Sequence, residues 1–336
     1  MEIKNKRILE CVPNFSEGRD PQKMNQILNS IQSVPGVKVL HTDVGYDANR
    51  TVVTFAGKPE LVIEAAYRAV AKASEIIDMS THQGVHPRIG ATDILPLVPV
   101  SGITMEETVE LSYQLAKRIG ENLQIPIYCY EYSAKQPYRK KLESIRKGEY
   151  EGLKYKLTDP LWTPDFGPIH FNIRSGATTL GARKFLVAFN VNLDTQSLEI
   201  AKKIAGMVRE SGFTQILDGI KTHQPGLLKT VKAIGWRMEQ YKKVQVSMNI
   251  TDIDQTPLHE AFHAVQTIAQ KLNTRVTGSE LIGLIPLKAM LDAGAFFLNQ
   301  NTTDPKTLIN EAIKKMGLDE LSPFDYTERI LEYKLL

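Results

Sequence analysis

The sequence predicts an α+β fold of two ferredoxin-like sandwiches, each a β-α-β-β-α-β unit with helices on one face of a mixed or antiparallel sheet. Three observations lead there. Short apolar runs alternate with helical periodicities, the same strand–helix order occurs in both halves, and a long aperiodic segment lies between them. At 336 residues the chain exceeds one ordinary core and suits two subdomains, placed at 1–183 and 184–336.

In the first half, Arg7 to Val12 reads as a short apolar strand, followed by the turn-rich run from Pro13 to Gly18. Asp20-Pro21 then opens a helix, with a capping acid before a proline whose missing N–H costs nothing in the first turn. Val37 to Thr42 and Arg50 to Phe55 read as strands joined through Gly45 and Asn49. Pro59 opens a long helix in which Val62, Ala65, Ala66, Ala69, Val70, Ala73 and Ile76 keep helical spacing. A glycine- and proline-rich loop containing His86, a strand from Ile94 to Val100, a helix from Met105 to Ile119 and a strand from Ile125 to Tyr130 complete the unit. The second half offers strands at Lys184 to Asn190, Val231 to Arg237, Val244 to Ile250 and Leu281 to Leu287. Its helices fall at Thr195 to Arg209 and Pro257 to Leu272. The intervening Leu153 to Gly181 has no periodicity but carries Trp162, Phe166 and Phe171, which point to packing on the other subdomain or on a flat ligand.

Composition narrows the classes. Hydrophobic content of 42% and charged content of 24% are those of a globular protein. A net charge of +3, from 41 basic and 38 acidic residues spread along the chain, gives no dedicated nucleic-acid or membrane surface. The one basic cluster, Arg139 to Lys147, is interrupted by Glu143 and reads as a solvated helix face. Two cysteines, Cys11 and Cys129, cannot form a disulfide scaffold and suit buried thiols. No segment has the pattern of a signal peptide or the roughly 18 apolar residues of a membrane helix, so a cytoplasmic protein is expected.

His86 stands out among candidate functional residues. Gly84, Pro87 and Gly90 exclude a stable helix around it, so the imidazole is displayed on a loop leading into a buried strand, with Arg88 two residues on. That setting suits proton transfer near an anionic ligand, or a loop histidine that only bonds backbone. Asp43 and Arg50 lie at the facing ends of a strand pair, where charges either meet a ligand or complete a turn. No Walker A loop or G-x-G-x-x-G string occurs. His259-Glu260-Ala261-Phe262-His263 matches H-E-x-x-H, but no histidine follows it to supply a third zinc ligand, which leaves an acidic residue such as Glu280, and the first turn of a solvent-facing helix is the better reading.

The chain resembles the glutamate formimidoyltransferases. The resemblance rests on Glu10-Cys11-Val12-Pro13-Asn14-Phe15-Ser16-Glu17-Gly18, Asn49-Arg50-Thr51-Val52, Ile77-Asp78-Met79-Ser80, Gly84 with His86-Pro87-Arg88, and Asp165-Phe166-Gly167-Pro168. Gly181-Ala182-Arg183-Lys184-Phe185-Leu186 and Gly283-Leu284-Ile285-Pro286-Leu287 continue it, in order, over essentially the whole chain. The resemblance implies formimidoyl transfer between N-formimidoyl-L-glutamate and N5 of tetrahydrofolate, in histidine degradation and one-carbon metabolism. It implies a homodimer, and the transferase alone rather than the bifunctional animal enzyme with its cyclodeaminase domain. His86 corresponds to the family's catalytic histidine. The folate-contacting stretch corresponds to Gly167-Pro168-Ile169-His170-Phe171-Asn172-Ile173-Arg174-Ser175-Gly176. Ser175 stands where animal members carry tryptophan.

The implied chemistry fits these residue types. Attack of an amine on an amidinium carbon requires one nitrogen to lose a proton and another to gain one, work for a single imidazole titrating near ~6.5. Arg50, Arg88, Arg174, Arg183 and Lys184 are candidates to hold the substrates' carboxylates, and Asp43 to orient the imidazole. The resemblance implies tetrahydrofolate as co-substrate, and no metal is expected. The alternatives are formyl transfer from 5-formyltetrahydrofolate to glutamate, a zinc hydrolase resting on H-E-x-x-H alone, and a folate-binding protein without turnover.

Overall fold

The computed structural model describes residues 6–217, 220–238, 242–298 and 303–336. The chain divides into two compact units, Met1–Lys184 and Phe185–Leu336.

The first unit runs β1 (Ile8–Cys11), β2 (Asn14–Phe15), α1 (Pro21–Gln32), β3 (Lys38–Gly45), β4 (Arg50–Gly57), α2 (Pro59–Ile76), β5 (Thr92–Ser101), α3 (Met105–Leu123) and β6 (Ile127–Cys129). Two short helices, α4 (Leu142–Arg146) and α5 (Glu149–Lys156), precede β7 (Thr178–Ala182). Strand β1 lies antiparallel between β4 and β5, and β3 flanks β4. This is the ferredoxin-like order. β7 then joins β5 in parallel and β6 joins β7 in parallel, making the sheet mixed. Leu9, Cys11, Val53, Phe55, Leu95 and Leu97 face Ile27 and Ile31 of α1, Ala66 and Ala69 of α2, and Leu115 of α3. Burial of each large aliphatic or aromatic side chain there contributes about 1.5–3 kcal/mol. A smaller core, with Ile94, Tyr128 and Tyr130, packs Ile145 of α4 and Leu153 of α5.

The second unit repeats the theme with β8 (Val187–Leu193), α6 (Leu198–Val208), a β9–β10 hairpin (Phe213–Leu217, Ile220–Gln224), β11 (Val231–Met238), β12 (Lys243–Ile250), α7 (Leu258–Lys271) and β13 (Val276–Ile282). Its sheet order β11-β12-β8-β13 is again ferredoxin-like and fully antiparallel. α8 (Leu287–Phe297), α9 (Pro305–Met316), α10 (Tyr326–Arg329) and α11 (Leu331–Leu335) follow.

Several elements depart from the sequence reading. The last strand ends at Ile282 instead of running from Leu281 to Leu287, because Gly283 turns at a φ of 76° and Pro286 opens α8. The aperiodic segment contains the last turn of α5 and most of β7, whose five residues are all buried and so show no alternation. The β9–β10 hairpin, α8 and α9 were not anticipated. The aromatic residues of the segment have ring partners nearby. Trp162 meets Tyr128 and Tyr138, Phe166 meets Tyr113, and Phe171 meets Tyr150, all within the first unit. Among the described residues, no helix is long and apolar enough to cross a membrane.

Candidate active site

The loop bearing His86 runs from the end of α2 to the start of β5 and takes its course from close backbone contacts. A Cβ on Gly84 would stand 2.3 Å from the Ala48 carbonyl oxygen, so only glycine lets the loop lie against the β3–β4 turn. Asn49, left-handed at a φ of 45°, clamps the turn to the loop. Its Nδ2 donates to the Gln83 carbonyl and its Oδ1 accepts from the Gly18 N–H, each at 2.9 Å. The next residue is thereby set against the histidine, and Arg50 Nη1 donates to His86 Nε2 at 2.5 Å. A neutral ring bonded this way carries its proton on Nδ1. That atom is buried without a hydrogen-bond partner.

Burial first, then the positive charges of Arg50 and Arg146, push the His86 pKa down to about 3 against a smaller upward pull from the Pro87 backbone. The expectation of a ring titrating near its ordinary value is therefore corrected. In the free protein the imidazole is neutral across the physiological range and its Nε2 lone pair is covered by a guanidinium.

The stretch from Gly167 to Gly176 is tied to this loop by backbone hydrogen bonds. Ala91 N–H donates to the Ser175 carbonyl at 2.9 Å, Ala177 N–H to the Ile89 carbonyl at 3.0 Å, and Met79 N–H to the Arg174 carbonyl at 2.9 Å. Gly176 bridges Gly90 at a φ of 66°, where a Cβ would meet the Ile89 carbonyl oxygen at 2.2 Å. At the other end Gly167 lies against Gly120 of α3. Within the stretch Pro168 and Asn172 are half-buried, Asn172 Nδ2 reaching the Gln124 carbonyl at 3.1 Å. Ile169, His170 and Ile173 are exposed, Phe171 is half-buried on Tyr150, and Ser175 is buried. Arg174 is exposed and donates to the Glu75 carbonyl near the C-terminus of α2.

The remaining candidates divide. Asp43 is exposed, opposite Val52 in the β3–β4 register, and acts on Arg50 rather than bonding His86. Arg88 is occupied. Its guanidinium meets Glu149 at 3.1 Å and Glu151 at 2.6 Å, and its Nε donates to His82 Nδ1 at 3.2 Å. His82 Nε2, which then carries the ring proton, donates to the Asn49 carbonyl at 2.9 Å. Arg88 thus braces the loop with its charge already paired. Arg183 is half-buried beyond β7 and donates to the Lys184 carbonyl at 2.9 Å, with Lys184 half-buried next to it.

Two residues at the centre of this arrangement escaped the sequence reading. Asp93 is completely buried, and Arg146 pairs with it. The signal was present, since a carboxylate at the start of a buried apolar run needs a partner. The supposed solvated face from Arg139 to Lys147 is corrected on the same ground. Arg139 is 3% exposed and meets Asp165 at 3.2 Å, while Lys140, Lys141 and Lys147 are exposed.

The H-E-x-x-H string lies in the first turns of α7. His259 is buried and stacks on Phe296 at 4.6 Å, and the exposed His263 meets the same ring edge-on at 6.2 Å. Among the described residues no group of three histidine, cysteine or acidic side chains is placed to hold a metal ion. His259→Ala and His263→Ala are expected to leave turnover within about two-fold, and elemental analysis of the purified protein to find no stoichiometric zinc. Turnover lost to a chelator and restored by zinc would overturn this.

Comparison with known proteins adds the family. The formiminotransferase domain, N-terminal subdomain, matches residues 8–183, and the formiminotransferase domain matches residues 188–336. The chain is 45% identical to the formimidoyltransferase-cyclodeaminase of Mus musculus, over 97% of this chain and 60% of that protein. It therefore spans about three fifths of the length of such relatives. It is 40% identical to the glutamate formimidoyltransferase of Streptococcus pyogenes serotype M1, over 98% of this chain and 99% of that protein. The corresponding figures for the glutamate formimidoyltransferase of Thermoplasma acidophilum are 38%, 92% and 98%. With both of its units matched in sequence, this chain belongs to the formiminotransferase family.

Proposed function

We propose that this chain transfers a formimidoyl group between N-formimidoyl-L-glutamate and N5 of tetrahydrofolate, with His86 moving the protons. The observation that carries the reading is the neutral His86 imidazole held against Arg50 at 2.5 Å, on a loop hydrogen-bonded to the stretch 167–176. The names of the full-length microbial relatives support it.

Arg50 caps Nε2 in the free protein. A substrate carboxylate offers that guanidinium a stronger, bidentate partner. Drawing Arg50 onto the carboxylate uncovers the Nε2 lone pair, and the added negative charge raises the basicity of the ring. Nε2 then accepts the proton from N5 as the N5–carbon bond forms, and returns it to the glutamate nitrogen as the carbon–nitrogen bond to glutamate breaks. The protein is proposed to act in the cytoplasm as a homodimer and to need no metal.

A side-by-side assay of purified protein with formimidoylglutamate plus tetrahydrofolate, and with 5-formyltetrahydrofolate plus glutamate, tests the reading. Faster turnover of the formimidoyl pair is expected. Turnover of the formyl pair alone, or of neither, would overturn it.

Within the same reading, Arg174→Ala is expected to weaken tetrahydrofolate binding by a factor that shrinks as salt is added, because an exposed charge contact is screened. Phe171→Ala is expected to weaken it with little salt dependence, since it removes apolar area and the Tyr150 contact. Unchanged affinity in both, measured by titration calorimetry at low and high salt, would place the folate elsewhere.

A further inference from the structure

Resting on that reading, we infer that Arg146 is a positioning residue for His86, acting through its Asp93 anchor and through its own charge. Asp93 is buried at the start of β5 and uses both carboxylate oxygens. Oδ1 accepts the Ile89 N–H at 2.9 Å, three residues beyond His86, and Oδ2 accepts from Arg146 Nη2. The pair therefore locks the far end of the loop to α4. A second tie, from the Tyr150 N–H to the Arg88 carbonyl at 2.9 Å, joins the loop to α5. Arg146 is itself largely buried, and its Nε has no hydrogen-bond partner. A buried guanidinium is kept at such cost only where its charge is used or matched.

The charges around the ring are few. Arg50 of β4 and Arg146 of α4 act on His86 directly. Asp93 of β5 and Asp43 of β3 act on Arg50. On the loop itself, Arg88 is paired with Glu149 and Glu151 of α5, and His82 is bonded between Arg88 and Asn49. Two cations thus act on the imidazole, while the acid of its own segment, Asp78, is hydrogen-bonded by Ser80. Arg146, being tied to Asp93, is fixed in place while Arg50 alone is free to follow a substrate carboxylate. In that division of work Arg50 uncovers the base, and Arg146, through Asp93 and the Ile89 N–H, keeps the loop that carries the ring aimed until it does.

The test follows the His86 ring by proton NMR between about pH 5 and 8, assigned by its loss in His86→Gln, in an Arg50→Gln background that brings the titration upward. Adding Arg146→Gln is expected to raise the midpoint by about one pH unit, because a nearby cation that disfavoured the protonated ring is gone. Adding Arg146→Lys should leave the midpoint where it was. Adding Asp93→Asn should lower it, since the Arg146 charge is then uncompensated, and this arm serves if Arg146→Gln does not fold. A midpoint that ignores residue 146, including one that stays below the range in both backgrounds, would overturn the inference. With Arg50 intact, Arg146→Gln should lower kcat for formimidoyl transfer by roughly 10–100-fold, with Arg146→Lys recovering most of it. A wild-type protein inactive in that assay would instead sink the transferase reading, whatever the ring titration shows.

Discussion

His86→Ala is expected to lower formimidoyl transfer by about 10²–10⁴-fold while tetrahydrofolate affinity stays within a few-fold of wild type. The asymmetry follows from the site. The ring contributes one hydrogen bond, to Arg50, and its Nδ1 has no partner, so little binding is lost with it. On the proposed mechanism, what is lost is the group that takes a proton from one nitrogen and returns it to the other. Rates and affinities should therefore separate cleanly when single-turnover transfer and equilibrium folate binding are measured on the same preparation. Retention of more than about a tenth of the activity would move the role to another group. His82 would be examined first, although both of its ring nitrogens are already engaged, by Asn49 and Arg88.

Arg139→Ala is expected to destabilise the first unit by about 3–5 kcal/mol, read as a shift of the urea midpoint, because it strands the Asp165 carboxylate in the interior. Both side chains are at most 5% exposed. Arg139 also donates to the Leu161 carbonyl at 2.6 Å, and Asp165 accepts the Cys129 N–H at 2.8 Å. The pair therefore joins the segment after β6 to the residues that lead into Gly167. Lys140→Ala and Lys147→Ala, a few positions away and exposed, should change stability by no more than about 0.5 kcal/mol. Equal effects in all three variants would restore the picture of a uniformly solvated basic face.

Much of the architecture was legible along the chain because it depends on neighbours. Asp20 and Pro21 do cap and open α1, Pro59 does open α2, and the strand–helix order that implied two ferredoxin-like units is set by local periodicity. Elements escaped where local pattern was silent. β7 is buried on every residue and so lacks alternation, and β13 was displaced because a single turn at Gly283 decides where it ends. The strings that carry the family resemblance are likewise contiguous, and their matches are a property of sequence alone.

The chemical state of the site was not legible, because it depends on charge and burial summed over distant positions. Arg50 reaches His86 across 36 residues, and Arg146 reaches Asp93 across 53. Arg88, two residues from His86, looked available to a substrate and is instead held by Glu149 and Glu151 more than 60 residues away. A sequence specifies which groups are present and, through periodicity, which of them lie on one face. Only the folded chain decides which charges neutralise each other, which remain to act on an imidazole, and how much water is excluded while they do. These quantities make His86 a neutral ring covered by Arg50 rather than an ordinary loop histidine.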